Sequence, residues 1–361
     1  MDYIHDWDKR KERLTALWQN EVVDRGCVAV VAPKVRNGYQ YPPAPTTPEG
    51  LHRWYMDGPS IADREEARFE RMFFGGDSFP LIWSNFGTAG HAKYIRNARY
   101  RFTPETVWFD PTIDDWETQA PVFDPQSPAL LADNEAMRYL CERAKGRYMV
   151  SMPDNCGVLD AVAHLRGTDR LAMDLYDEPE RVVPAAETLL TALKTACTQQ
   201  FEILRKNNEG GVTHGWMFTW APGPQMQLQV DFSVMISPQM YEEFALPELD
   251  AMTHFLDYAV YHLDGQEQIR HLDMILSQER LNMIQWTPVA GQPPTSDFLP
   301  VLQRIQKAGK GLVLYPAKNE VEKLLDGLSI EGLYLHVRDA EDEAEAREIV
   351  KLVEQRGRVR R

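Results

Sequence analysis

The chain has 361 residues, with 39 Lys and Arg against 54 Asp and Glu, a formal net charge of −15. So acidic a chain is repelled by nucleic acid and by anionic membrane surfaces, and neither is expected as a partner, although a local basic patch can still hold an anionic small-molecule substrate. A hydrophobic share of 43% and a charged share of 26% are those of a soluble globular protein with a sizeable core.

The N-terminus, MDYIHDWDKRKERL, lacks the apolar run of a signal peptide, and no apolar stretch is long enough to span a bilayer. Cys27, Cys141, Cys156 and Cys197 form no C-x-x-C pair and no disulfide framework, which suits reduced thiols in the cytoplasm.

Residues Trp7 to about Glu21 have helical spacing, with Leu14, Leu17 and Trp18 on one face, and form the body of an N-terminal helical extension over 1–25. GCVAVVAP, 26–33, reads as a buried strand. The Pro- and Gly-rich stretch 37–50 reads as a long loop, placed to act as a mobile lid over a barrel mouth. A charged helix is expected over 59–74, and a strand over 79–87. Residues 101–125 read as an irregular excursion with short extended pieces, whose Trp108 and Trp116 are candidates for burial in a homodimer. Then come a helix over 127–145, a strand over 147–153, two helices within 168–205 and a strand over 211–220 that leads into a Pro/Gly loop.

From there the alternation is regular. Helices are expected at 237–257, with Ser237 as N-cap and Pro238 at the first helical position, and at 266–277, 296–309 and 339–357. Strands are expected at 258–264, 281–286, 311–316 and 332–337. Short apolar strands alternating with amphipathic helices mean parallel strands with crossover helices. About eight such strands favour a single (β/α)8 TIM-type barrel over 1–361, with an N-terminal extension and long loops. An open doubly wound sheet is the other arrangement. Such a sheet usually opens with a glycine-rich phosphate loop, which this chain lacks.

Five segments carry a family resemblance: DNCGVLDAVAHLRGTDRLAMDLYDEPERV at 154–182, DFSVMISPQMYEEFALPEL at 231–249, YHLDGQ at 261–266, IQWTPVAGQPP at 284–294 and GKGLVLY at 309–315. In order and spacing they resemble the uroporphyrinogen decarboxylase superfamily over roughly residues 75–350. That superfamily includes porphyrinogen decarboxylases and zinc methyltransferases that move methyl groups between corrinoid proteins and thiols or other acceptors. The decarboxylase branch carries an N-terminal R-Q-A-G-R signature, and nothing like it occurs between Met1 and Leu51; Arg25, Arg36 and Arg53 lie in unrelated contexts. The methyltransferase branch shows His-x-Cys after a central strand and a further Cys near the last strand. Here His262-Leu263-Asp264 stands at the first place, with Asp for Cys, and His336 and Asp339 stand at the second.

His262 and Asp264, two apart on a strand, point to one face. At a strand's carboxyl end they could bind a divalent cation, form an acid/base pair, or simply order the Gly265 turn. With His336 they form the expected metal set, suited to zinc or another divalent metal. His262, Asp264 and Tyr315 are the catalytic candidates. Trp216, Trp220 and Trp286 are candidates for an aromatic floor under a substrate, and Asn85, Asp154 and Gln285 for polar contacts to it. Arg166 and Asp231 are expected to form an internal ion pair, His164 to be a packed histidine and Cys156 a buried inert thiol.

The resemblance implies a methyltransferase-like enzyme, handling O-methyl or N-methyl compounds with a corrinoid protein as partner. A decarboxylase or related acid/base enzyme on a small acid is the second expectation, and a noncatalytic ligand-binding barrel the third.

Overall fold

The structure, a computed structural model, describes residues 1–88 and 90–357. Thirteen strands occur among them. They are β1 (Cys27–Pro33), β2 (Met72–Gly76), β3 (Leu81–Ile82), β4 (Arg99–Phe102), β5 (Val107–Asp110), β6 (Met149–Val150), β7 (Val212–His214), β8 (Thr219–Ala221), β9 (Gln225–Leu228), β10 (Tyr258–Asp264), β11 (Met283–Thr287), β12 (Gly311–Leu314) and β13 (Leu333–Val337). No helix among the described residues is long and apolar enough to cross a membrane.

A seven-stranded sheet in the order β2-β1-β13-β12-β11-β10-β9 forms the centre. All its pairings are parallel except β1 with β2. The four strands expected in the C-terminal half are indeed consecutive and parallel. Val28, Ala29 and Val30 of β1 and Leu312, Val313 and Leu314 of β12 are fully buried, the continuous apolar run that a strand covered on both faces requires. The helix Glu343–Arg356 packs on β1 and β2, and the helix Leu299–Lys307 on β12.

The expected closed barrel is not formed by hydrogen bonds among the described residues. The outer edge of β1 is taken by the antiparallel β2, so β3 cannot pair there. β3 pairs instead with β6, and a parallel bridge from Met152 to His214 joins that pair to β7.

Three further expectations change. The helix expected over 59–74 ends at Phe69, and Met72–Gly76 turns back as β2 because its phenylalanines pair along β1. The strand expected over 211–220 is a hairpin: Gly215 to Phe218 make the turn between the antiparallel β7 and β8, with Phe218 at φ 53°. The loop expected over 37–50 gives way to the helix Pro48–Met56, which starts on the Thr47 cap with proline in its first turn.

The helix Trp7–Leu17 sits below the sheet: the backbone oxygen of its Arg13 lies 3.5 Å from the thiol of Cys27, the first residue of β1. The carboxyl ends of the parallel strands, with His262, Asp264 and His336, face the other way. In the excursion, β4 and β5 form a hairpin. Trp108 there is exposed, but Trp116 is buried in its own chain and donates to Asp174 at 2.8 Å, which removes it from any dimer surface.

Candidate functional site

His262 and Asp264 end β10 side by side, with Nε2 of the histidine 3.9 Å from the carboxylate. Asp231, at the start of the segment that follows β9, completes a trio. One ligand atom from each residue lies within 4.8 Å of the others. Asp160 positions the third member: its carboxylate accepts the backbone N–H groups of Asp231 at 3.0 Å and Phe232 at 2.7 Å.

Gln285, the register partner of His262 on β11, accepts from Nδ1 and in turn donates to Thr287. With Nδ1 so engaged, Nε2 keeps its lone pair and faces the two carboxylates. Burial lowers the pKa of His262 against the opposing pull of Gln285 and Asp264, which favours the neutral imidazole a metal needs. Asp231 still touches solvent, yet loss of hydration in its recess, then repulsion from Asp160, Asp264 and Asp154, raises its pKa. A cation would relieve that repulsion. One neutral imidazole and two carboxylates form a hard donor set that fits a divalent ion with positions left for water or substrate.

Trp216, in the β7–β8 turn, stands beside the trio with its ring 5.1 Å from that of His262, edge to face. His214 lies 5.6 Å away on another side and Tyr315 6.2 Å on a third. The Tyr315 hydroxyl donates to the Trp216 carbonyl at 3.2 Å, and Arg338 donates to the same oxygen. Burial raises the Tyr315 pKa, so this phenol is a donor. Asp154, buried close by, is pushed up to about 6 by loss of solvation, with Trp216 and Gln227 holding it partly down. Its carboxylate accepts from Gln227 at 3.1 Å.

Beyond Trp216 opens a cavity of about 380 Å³, between Tyr41 and Trp54 of the segment after β1, Trp83 and Asn85 after β3, and Arg338 after β13. Tyr41 thus brings the 37–50 segment to the carboxyl side. The trio itself is not among the residues that line this cavity; Trp216 lines it and packs on His262. Gly215 permits this packing, because a Cβ there would lie 2.0 Å from the Trp83 ring.

The other candidates disperse. His336 is buried, with its ring 4.8 Å from Phe218 and 5.4 Å from Tyr315. Three strand spacings separate β13 from β10, roughly 14 Å along the sheet. His336 therefore lies outside the trio, and Asp231 stands where it was expected. Trp220 faces the N-terminal helix, 5.8 Å from Trp7, and accepts from the Trp18 indole through its carbonyl, away from the strand ends. Trp286 points into the helical layer, 4.7 Å from Phe298. The expected Arg166–Asp231 pair is absent: Arg166 closes on Asp174 at 2.6 and 3.1 Å, the nearer acid on the same helical hairpin. His164 stacks on Phe109, and burial, then the acids around it, raises the Cys156 thiol pKa.

The chain shares its fold with a methyltransferase from Methanosarcina mazei. The superposition has a TM-score of 0.58 and 13% identity, and covers 96% of this chain and 98% of that one. No family model matches the sequence, and no curated relative matches it.

Sequence reasoning missed Asp231 as a site residue, along with Trp83 and the arginines of the cavity. A signal existed for two of them. Asp231 opens one of the superfamily-like segments, and Arg338 lies two residues beyond His336, just past the end of the same strand.

Proposed function

We propose that this protein is a metal-assisted methyltransferase of the uroporphyrinogen decarboxylase superfamily, with Asp231, His262 and Asp264 as metal ligands and a corrinoid on a partner protein as methyl acceptor. The observation that carries the reading is the convergence of these three donors at the carboxyl ends of the strands, with Gln285 fixing the imidazole. The quoted motifs support the superfamily placement. The central sheet together with the β3–β6 pair is read as one interrupted (β/α) barrel, whose carboxyl end is the usual place for catalysis.

A divalent ion there would act as a Lewis acid on the heteroatom that carries the methyl group. The chain's own residues do the rest. Gln285 holds the His262 tautomer, and Asp160 holds the backbone of Asp231. Trp216 lines the substrate cavity and packs on His262, so it forms the side of the cavity nearest the trio.

The test has two parts: the metal content of the purified protein, and methyl transfer from an O-methylated donor to reduced cobalamin, followed by absorbance. Stoichiometric divalent metal with metal-dependent cobalamin methylation is expected. Turnover that releases carbon dioxide and ignores metal chelation would instead favour a decarboxylase.

A further inference from the structure

We infer that the cavity beside Trp216 binds a single-ring aromatic carboxylate, and that Arg338 recognises the carboxylate. This deepens the methyltransferase reading by naming its substrate class, an O-methylated aromatic acid.

Charge is the first ground. The chain carries a net charge of −15, yet the cavity lining sets Arg64, Arg68 and Arg338 against one acid, Glu65. Glu65 is already shared: Arg68 binds it at 2.7 Å, Arg64 lies 3.7 Å from it, and the Tyr41 hydroxyl donates to it. Arg338 has no carboxylate within salt-bridge distance among the described residues. Its guanidinium is held 4.1 Å over the Tyr315 ring and tied to the Trp216 carbonyl. A guanidinium held in place with donors to spare is suited to two-point binding of a planar carboxylate.

Shape is the second ground. Trp54, Trp83, Trp216 and Phe218 supply flat apolar walls, and a volume of about 380 Å³ suits a substituted single ring. The Trp83 indole N–H is buried without a partner, a donor left for a polar substituent.

The same features argue against a methylammonium donor. The Trp54 and Tyr41 faces that could cage a cation are occupied by Arg64, 3.9 and 5.9 Å from the two rings. A second cation would meet that guanidinium at close range in a recess already in positive excess.

The test is binding, which needs no turnover. Tryptophan fluorescence and calorimetry would follow titration with 4-methoxybenzoate, the uncharged methoxybenzene and phenyltrimethylammonium, using wild type, Arg338→Gln and Arg338→Lys. We expect 4-methoxybenzoate to bind best. Arg338→Gln should weaken it about tenfold or more, Arg338→Lys should recover part of the loss, and methoxybenzene should bind all three proteins alike. No binding of 4-methoxybenzoate, equal binding by wild type and Arg338→Gln, or preference for the ammonium compound overturns the inference. Arg338-dependent binding without methyl transfer would leave the inference standing and sink the methyltransferase reading; methyl transfer from another donor class without such binding would do the reverse.

Discussion

His262 and Gln285 face each other across β10 and β11, and the imidazole Nδ1 donates to the amide oxygen of the glutamine. This bond leaves Nε2 as the free nitrogen beside Asp264 and Asp231. Replacing Gln285 with leucine removes the acceptor at nearly constant volume. Zinc affinity, read by equilibrium dialysis against a chromophoric chelator, should fall about 10–100-fold. An unchanged affinity would mean that the glutamine does not set the histidine.

His262→Ala separates a metal ligand from a structural pair. As a ligand, the histidine takes the metal and the turnover with it when removed, while the melting temperature without metal falls only by what the lost bond to Gln285 costs. As a structural pair with Asp264, its loss would lower the melting temperature and leave the metal content of the protein as it was. Elemental analysis and calorimetry on one preparation read both quantities.

Asp154 gives a pH signature of unusual sign. Its folded value of about 6 lies above the ordinary 3.8, so the folded protein holds a proton there that the unfolded chain releases. Stability from this group is full below the lower value and is lost as pH rises through the upper one. Asp154→Asn should remove that loss, so its stability relative to wild type should rise between about pH 4 and about pH 7 in urea titrations. The comparison must be with wild type, because His91 and His214, each lowered to about 3 by burial, slope the opposite way. A constant difference across the window would show that the carboxyl is not raised.

Gly215→Ala sets a methyl group against the Trp83 ring. The ring or the turn must shift, and we expect a loss of about 1–3 kcal/mol in urea unfolding. The emission of Trp83 should change with it. A variant as stable as wild type would show that the turn has room to spare.

The C-terminal half of the sheet was legible because each strand is a short apolar run between amphipathic helices. β9 was not: Gln225–Leu228 is half glutamine, and its polar side chains are buried in hydrogen bonds that no hydropathy pattern reveals. β2 was hidden because Met72–Gly76 follows a helix without a break of the usual composition. In the site, the spacing of two placed His262 with Asp264. The same rule forbade Gln285 and Trp286 from sharing a face, and the structure indeed sends them to opposite sides. Asp231 was assigned to Arg166 because charge alone does not choose a partner; Asp174, eight residues along, is the one Arg166 reaches.

The pairing of β1 with β13 carries a consequence for how the protein is made. Cys27 and Tyr334 are register partners although about 300 residues separate them. A ribosome must add every residue between them before β1 can find that neighbour. Until then the apolar edge of β1 stays open, with only the antiparallel β2 on its other side. Nascent chains stalled before β13 should therefore be the ones chaperones retain, and proteolysis of arrested chains of increasing length should show protection of β1 arriving late, once the last strand has emerged.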